Sequence, residues 1–256
     1  STIISSCTFN EVTIMSTSIK VHPVSMMFNM SSEKVDNIKE YFIRVLKHKI
    51  AVEPFWALQD VSFELKRGDS LGVIGLNGSG KSTLLKLVSG ILKPTKGTVE
   101  TYGSIAPLIE LGAGFDPELS AVENIYLNGA VLGYSHAYME ERVDSILDFA
   151  ELEEFRNIAI KNFSSGMTAR LGFAIATMNV PDILILDEIL AVGDYKFQEK
   201  SFARTRSLID SGATLLLVSH SGEQITKLCS KALWLDKGHV KMYGPAEEVC
   251  RAYSQM

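Results

Sequence analysis

A glycine-rich segment carries the residues whose types and spacing best suit chemistry. Residues 75–82 follow the pattern Gly, four residues, Gly, Lys and then Ser. Glycines let successive backbone N–H groups converge on an anion, and the positive end of a following helix favours the same charge. Lys81 would neutralise β- and γ-phosphate charge, and Ser82 would ligate Mg²⁺. A plain glycine turn that caps a helix is the alternative, but it needs no Lys followed by Ser. The predicted phosphate loop comprises Gly75, Leu76, Asn77, Gly78, Ser79, Gly80, Lys81, Ser82 and Thr83.

Two acidic residues follow a short apolar run later in the chain. Residues 183–186 are Ile, Leu, Ile and Leu, and Asp187 and Glu188 come next. The run suits a buried parallel strand, so Asp187 would emerge at its carboxyl end and hold Mg²⁺ directly or through water. Glu188 suits the general base for water that attacks the γ-phosphate. The other interpretation, that both acids cap the next helix, weakens beside a phosphate loop.

A histidine follows another apolar run. Residues 215–218 are Leu, Leu, Leu and Val, and His220 comes two positions later. Ligands collect at the carboxyl ends of strands in open α/β sheets, so His220 would contact the γ-phosphate and the attacking water. An isolated His is more often a structural residue. Glu188, His220 and Lys81 are therefore the catalytic candidates.

The periodicity of apolar residues predicts the elements that position these side chains. Strands alternate with helices, which indicates an α/β core with a parallel sheet. The predicted strands cover residues 13–30, with a hairpin around His22-Pro23 as the alternative, and residues 55–65, 70–74, 98–105, 182–186 and 214–219. The predicted helices cover residues 33–50 and 82–89 and most of 120–178.

Composition excludes several classes of protein. The 256 residues suit one large domain, or a core with a small lobe. The formal net charge of −5 gives no basic field, so we expect no nucleic acid partner. The apolar stretches are far shorter than the roughly 20 residues of a membrane-spanning helix, and the start at Ser1 shows no secretory signal. We therefore expect a cytoplasmic chain.

One further segment makes the motif set resemble a known family. Residues 162–167 read Asn-Phe-Ser-Ser-Gly-Met and resemble the signature loop, usually L-S-G-G-Q, of the nucleotide-binding subunits of ABC transporters. This resemblance implies an ATPase with a P-loop NTPase (RecA-like) parallel-sheet core, an antiparallel β subdomain and an α-helical signature subdomain. It also implies a homodimer of cassettes, head to tail, in which each ATP contacts Ser164, Ser165 and Gly166 of the opposite subunit. A polar N-cap on the helix that begins near Met167 is a compatible alternative.

Within this family, the sequence resembles the group that exports O-antigen, teichoic acid and capsular polysaccharides. Residues 164–167, 170–173 and 187–200 carry this likeness, and within them Asp194 ends the D-loop, which touches the opposing site. Glu110 replaces the usual Q-loop glutamine, so it can ligate Mg²⁺ or water but cannot donate amide hydrogen bonds; a plain surface acid is the alternative. The implied partners are two copies of a membrane permease and a lipid-linked polysaccharide. The implied location is peripheral, on the cytoplasmic side of the inner membrane.

The resemblance also divides the chain. It implies a β subdomain at about 13–65 and 97–108 with a helical insertion at 33–50, a P-loop core at about 66–96 and 180–245, and a helical subdomain at about 116–178. Since the sequence stops at Met256, we expect no C-terminal carbohydrate-binding domain in it, either because this member lacks one or because the domain was removed. The helix at 33–50 would guide the substrate, brace the permease or simply cover the sheet.

Two questions stay open at the level of sequence. The aromatic residue that stacks on adenine is Phe28 or Trp56, and either could be core instead. The substrate class has rivals: a drug or lipid exporter, a nutrient importer, a soluble ABC ATPase of translation or DNA repair, or a non-enzymatic nucleotide sensor. The soluble ATPases usually carry two cassettes or a long coiled coil, which this sequence lacks.

Overall fold

Two β-sheets with helices around them build the described part of the chain. The computed structural model describes residues 17–31, 52–109, 112, 114–187 and 193–256. The strands are β1 (Thr17–Ser31), β2 (Val52–Lys66), β3 (Ser70–Ile74), β4 (Val99–Thr101), β5 (Ile105–Leu108), β6 (Ile183–Asp187), β7 (Thr214–Val218), β8 (Lys231–Asp236) and β9 (His239–Pro245). The helices are α1 (Lys81–Val88), α2 (Ala121–Val131), α3 (His136–Glu140), α4 (Val143–Ala150), α5 (Ser165–Ala176), α6 (Tyr195–Asp210), α7 (Gly222–Leu228) and α8 (Ala246–Ser254), with 3-10 turns at Glu153–Phe155 and Ile160–Asn162.

The larger sheet has the strand order β5-β6-β7-β3-β8-β9. Its first five strands run parallel, and β9 pairs antiparallel with β8 at the edge. Both faces are covered, because alternate residues of β6 and β7 belong to two different apolar clusters. One cluster contains α1 and the β1–β2 pair, and the other contains most of the remaining helices. Burial on both faces explains why these strands are continuous apolar runs, and the predicted α/β fold is confirmed.

The smaller sheet is antiparallel, with the order β2-β1-β4. β1 is one continuous strand, so the hairpin alternative for residues 13–30 is wrong. His22 and Pro23 fall at a register shift between Val21 and Val24, where the missing N–H of proline costs least. Residues 13–16 and the predicted helix at 33–50 lie outside the described residues.

The predicted strand at 98–105 is two strands in two sheets. β4 pairs with β1, whereas β5 pairs in parallel with β6, so residues 105–108 belong to the core sheet and not to the β subdomain. The break falls at Gly103, whose φ of +109° favours glycine, and a Cβ there would lie 2.5 Å from the Asp182 side chain. The Asp182 carboxylate accepts hydrogen bonds from Ser104 N (2.8 Å) and Ser104 Oγ (2.9 Å) and fixes the turn.

The segment between the two nucleotide motifs is mostly helical, as predicted. Helix α2 begins with a capping box: Ser120 Oγ accepts from Glu123 N at 3.3 Å, and Glu123 Oε2 accepts from Ser120 N at 2.8 Å. The apolar sides of α4 and α5 pack on the core through Phe149 and Phe173. In the described part of the chain, every helix is too short or too polar to span a bilayer.

Candidate nucleotide site

One cavity of about 460 Å³ opens where β3, β6 and β7 end. Carboxyl ends of parallel strands are the usual place for ligands in such sheets. The cavity is lined by Phe28, Phe55, Ala57, Asn77, Gly78, Gly80, Lys81, Ser82, Thr83, Asp187 and His220. Both sheets therefore contribute to one site.

Glycine is required where the loop meets the smaller sheet. Gly80 precedes α1 with φ +106°, and a Cβ there would lie 2.5 Å from Ala57 O and 2.7 Å from Leu58 Cδ2. Gly78 also has a positive φ, +78°, but nothing lies within 4 Å of its Cβ position. Both glycines thus permit the turn, and Gly80 also permits the close approach of the β2 backbone.

Lys81 is buried, with 6% of its surface exposed. Its Nζ donates to Gly75 O (2.8 Å) and Leu76 O (3.0 Å), so the ammonium lies over the loop. Ser79, beside it, is 3% exposed, and its Oγ is a buried polar atom with no hydrogen-bond partner in the described chain. A glycine-rich turn at the start of a helix, a held ammonium and the Ser82 hydroxyl at the cavity fit a polyanionic ligand.

The acidic strand end and the histidine lie on the same cavity. Asp187 is the last residue of β6, is half-buried, and lies beside Val218 of β7. His220 follows β7 and is exposed. The preceding Ser219 fixes this turn, because its Oγ donates to Gln224 Oε1 at 2.8 Å and accepts from the Ser221 N at 3.0 Å. Glu188 and Glu110, the other predicted acids, lie outside the described residues.

Two phenylalanines form the aromatic side of the cavity. Phe28 on β1 and Phe55 on β2 are paired across the sheet and are 36% and 47% exposed. Trp56 does not line the cavity: successive strand residues face opposite sides, and its ring lies 5.4 Å from Lys96 Nζ instead. Of the two aromatic residues predicted for adenine, Phe28 lines the cavity and Trp56 does not. Phe55 was missed because its place at the cavity depends on its pairing with Phe28, which the sequence alone does not show.

The residues predicted to act on the opposite subunit lie away from this cavity. Ser164 is the N-cap of α5 and its Oγ accepts from Met167 N at 3.2 Å, so the capping alternative is observed. Ser164 and Ser165 are exposed, and Gly166 is half-buried. Asp194 is the N-cap of α6, and its Oδ1 accepts from Phe197 N at 2.9 Å. None of these residues lines the cavity of its own chain.

A bound Mg²⁺ would find suitable ligands. The Ser82 hydroxyl and the Asp187 carboxylate line the same cavity. Among the described residues, no three His, Cys, Asp or Glu side chains form a metal-holding group. Mg²⁺ commonly takes one or two protein oxygens and completes its shell with phosphates and water, so this pair is sufficient.

Comparison with known proteins agrees with this geometry. Residues 58–191 match the family model described as ABC transporter. The chain is 45% identical over 201 residues to the O-antigen export system ATP-binding protein RfbB of Klebsiella pneumoniae, which covers 78% of this chain and 82% of that protein. It is 39% identical over 241 residues to the teichoic acids export ATP-binding protein TagH of Bacillus anthracis, covering 94% of this chain but 43% of that protein.

The fold has close counterparts among solved structures. A dimeric ATP-binding cassette in a post-hydrolysis state, bound to ADP and Pi, superposes with a TM-score of 0.72 at 24% identity over 89% of this chain and 98% of that one. Fold and site together define an ATP-hydrolysing cassette of the P-loop class. The chain belongs to the ABC transporter family. The resemblance inferred from the motifs is therefore confirmed.

Proposed function

We propose that this chain binds and hydrolyses ATP to power the export of a lipid-linked cell-surface polysaccharide through a separate permease. The observation that carries the ATPase activity is the single cavity shared by the phosphate loop, Asp187 and His220. The substrate class is supported by the relatives at 39–45% identity, whose names specify export of O-antigen and teichoic acids.

Each side chain of the site has a proposed task. Backbone N–H groups of residues 75–83 and the Lys81 ammonium bind the triphosphate of ATP. Ser82 and Asp187 hold Mg²⁺, which neutralises charge on the β- and γ-phosphates, with Glu110 as a further ligand of the ion or its water. Glu188 orients and deprotonates the attacking water, and His220 contacts the γ-phosphate.

The adenine end needs a different environment. Phe28 and Phe55 present two partly exposed rings at the cavity, and base stacking on an aromatic face requires this kind of exposure. We propose that these two rings hold the base. Because Trp56 faces away, it is not part of this site.

Two cassettes are proposed to face each other head to tail. Residues 116–178 act as the helical lobe that presents Ser164, Ser165 and Gly166 to the γ-phosphate held by the partner, and Asp194 touches the same opposing site. None of the four lines the cavity of its own chain, and Ser164, Ser165 and Asp194 are exposed, which supports contacts in trans. The closed pair alone makes both sets of contacts, so hydrolysis removes the force that closes it. Opening then drives two permease copies at the cytoplasmic face of the membrane.

A first experiment tests the chemistry on the purified chain. Glu188→Gln is expected to retain ATP with Mg²⁺, to accumulate as a dimer and to lose nearly all turnover, since the amide cannot accept the proton. Lys81→Ala is the matched control and should lose ATP binding itself. Normal hydrolysis by Glu188→Gln would contradict the assignment of the base.

A second experiment tests the substrate. Deleting the subunit in its native cell should leave lipid-linked surface glycan in the cytoplasm. Expression of the wild-type chain should restore export, and the Glu188→Gln variant should not. Normal surface glycan in the deletion strain, with retention of a different compound, would favour a drug or lipid exporter instead.

A further inference from the structure

Arg170 joins three elements that are separate in sequence. It lies on α5, six residues after the N-cap Ser164, and its side chain is only 17% exposed. Nη1 donates to Glu151 Oε2 at 3.2 Å, and Nη2 donates to Asp194 Oδ2 at 2.6 Å. The guanidinium also lies over the buried Phe197 ring, 4.9 Å from its centroid. Because both terminal nitrogens of the planar guanidinium are hydrogen-bonded and one of its faces lies against the Phe197 ring, the group has one available orientation.

The hydrogen bond to Asp194 holds the start of α6. Asp194 Oδ1 caps α6 through Phe197 N, so the two carboxylate oxygens divide between the helix and Arg170. The neighbouring Gly193 has φ +85°, and a Cβ there would lie 3.4 Å from Arg170 Nε. Arg170 therefore fixes the backbone where the segment that starts after Asp187 enters α6.

The two arms are not equivalent. Glu151 has other cations nearby: its Oε1 lies 3.9 Å from Lys196 Nζ and 3.8 Å from Lys200 Nζ. Within the described chain, Asp194 forms an ion pair only with Arg170. Loss of the arginine would thus leave Glu151 beside two lysines, whereas Asp194 would keep only its hydrogen bond to the start of α6.

We propose that Arg170 is a positioning residue that ties the signature helix α5 to Asp194 and the start of α6, so that contact at Ser164 is transmitted towards the segment that carries Glu188. This inference rests on the proposed function, because both ends of the connection take their roles from it. Arg170 itself lies outside the nucleotide cavity and acts through Asp194.

Kinetics and dimer formation of purified variants test the connection. Arg170→Gln is expected to lower kcat by about 10- to 100-fold, the loss expected when a catalytic group is misplaced by about 1 Å. The KM for ATP and the affinity of the monomer for a fluorescent ATP analogue should stay within about twofold of wild type, since the phosphate loop is untouched. In a Glu188→Gln background, Arg170→Gln should weaken ATP-dependent dimer formation, measured by light scattering without turnover.

Four further variants, one of them a double variant, separate positioning from stability. Asp194→Asn keeps a capping oxygen for α6 but loses the charge-assisted bond, so combining it with Arg170→Gln should reduce kcat no further than Asp194→Asn alone. Glu151→Gln breaks the other arm and should leave kcat within about twofold of wild type, because the Asp194 arm remains. Arg170→Lys retains one cation without the fork and should give an intermediate kcat.

Each outcome is decisive. If the losses of kcat from Asp194→Asn and Arg170→Gln multiply in the double variant, the inference is wrong. It is also wrong if Arg170→Gln lowers only the Tm and leaves kcat and dimer formation unchanged. Should Arg170→Gln fail to fold, Arg170→Lys carries the same comparison, and wild-type kcat there overturns it. A wild-type chain that neither binds nor hydrolyses ATP would instead refute the proposed function.

Discussion

A methyl group added at Gly80 tests how the loop approaches β2. In Gly80→Ala, the positive φ of +106° costs about 1–3 kcal/mol of backbone strain. The new Cβ would lie 2.5 Å from Ala57 O and 2.7 Å from Leu58 Cδ2, and such overpacking costs a further ~1–3 kcal/mol. Gly78→Ala is the matched control, because its Cβ meets nothing within 4 Å and only a left-handed penalty of about 1–2 kcal/mol remains.

The two variants should therefore melt at different temperatures. At ~2–4 °C per kcal/mol for a chain of about this size, the contact alone predicts a Tm about 2–12 °C lower for Gly80→Ala than for Gly78→Ala. Circular dichroism without nucleotide measures this difference, and a fluorescent ATP analogue measures whether the loop still binds. Equal melting of the two variants, within about 1 °C, would refute the close approach.

Four further substitutions give three separate tests. Phe55→Ala should weaken ATP binding at least about 5-fold by loss of stacking, whereas Trp56→Ala should leave the Kd unchanged; equal effects in a titration would contradict the assigned faces. Ser120→Ala should lower the free energy of unfolding by about 1 kcal/mol through loss of the α2 cap, and denaturant melts that overlay wild type would count against it. Asp182→Asn tests the pH dependence of stability. The pKa of the Asp182 carboxyl is held below its usual range, chiefly by the hydrogen bond from Ser104 N, next by the one from Ser104 Oγ, and also by the nearby Arg67 guanidinium. Its stabilisation is therefore present above the unfolded pKa of about 3.9 and is lost as pH falls through the folded value, so wild-type and variant Tm should differ at pH 7 and converge in acid.

The core of the site was predictable because its signals are local. The phosphate loop needs glycine at fixed positions, and an apolar run followed at once by Asp187 can only place that acid at a strand end. Such patterns depend on a few consecutive residues. Their positions in the structure therefore agree with the sequence prediction.

What the sequence misplaced depends on contacts between distant segments. The strand at 98–105 divides because Asp182, 78 residues away, caps the turn at Ser104. The orientation of Phe55 depends on its pairing with Phe28, and the role of Arg170 depends on two acids that flank the ends of other helices. Periodicity alone contains no information about these partners.

Because the cavity draws its aromatic side from one sheet and its charged side from the other, the ligand spans a seam between two layers. Phe28 and Phe55 belong to the antiparallel sheet, whereas Asp187 belongs to the parallel one. A nucleotide bound at both ends would add a further link between two layers that already share one apolar cluster.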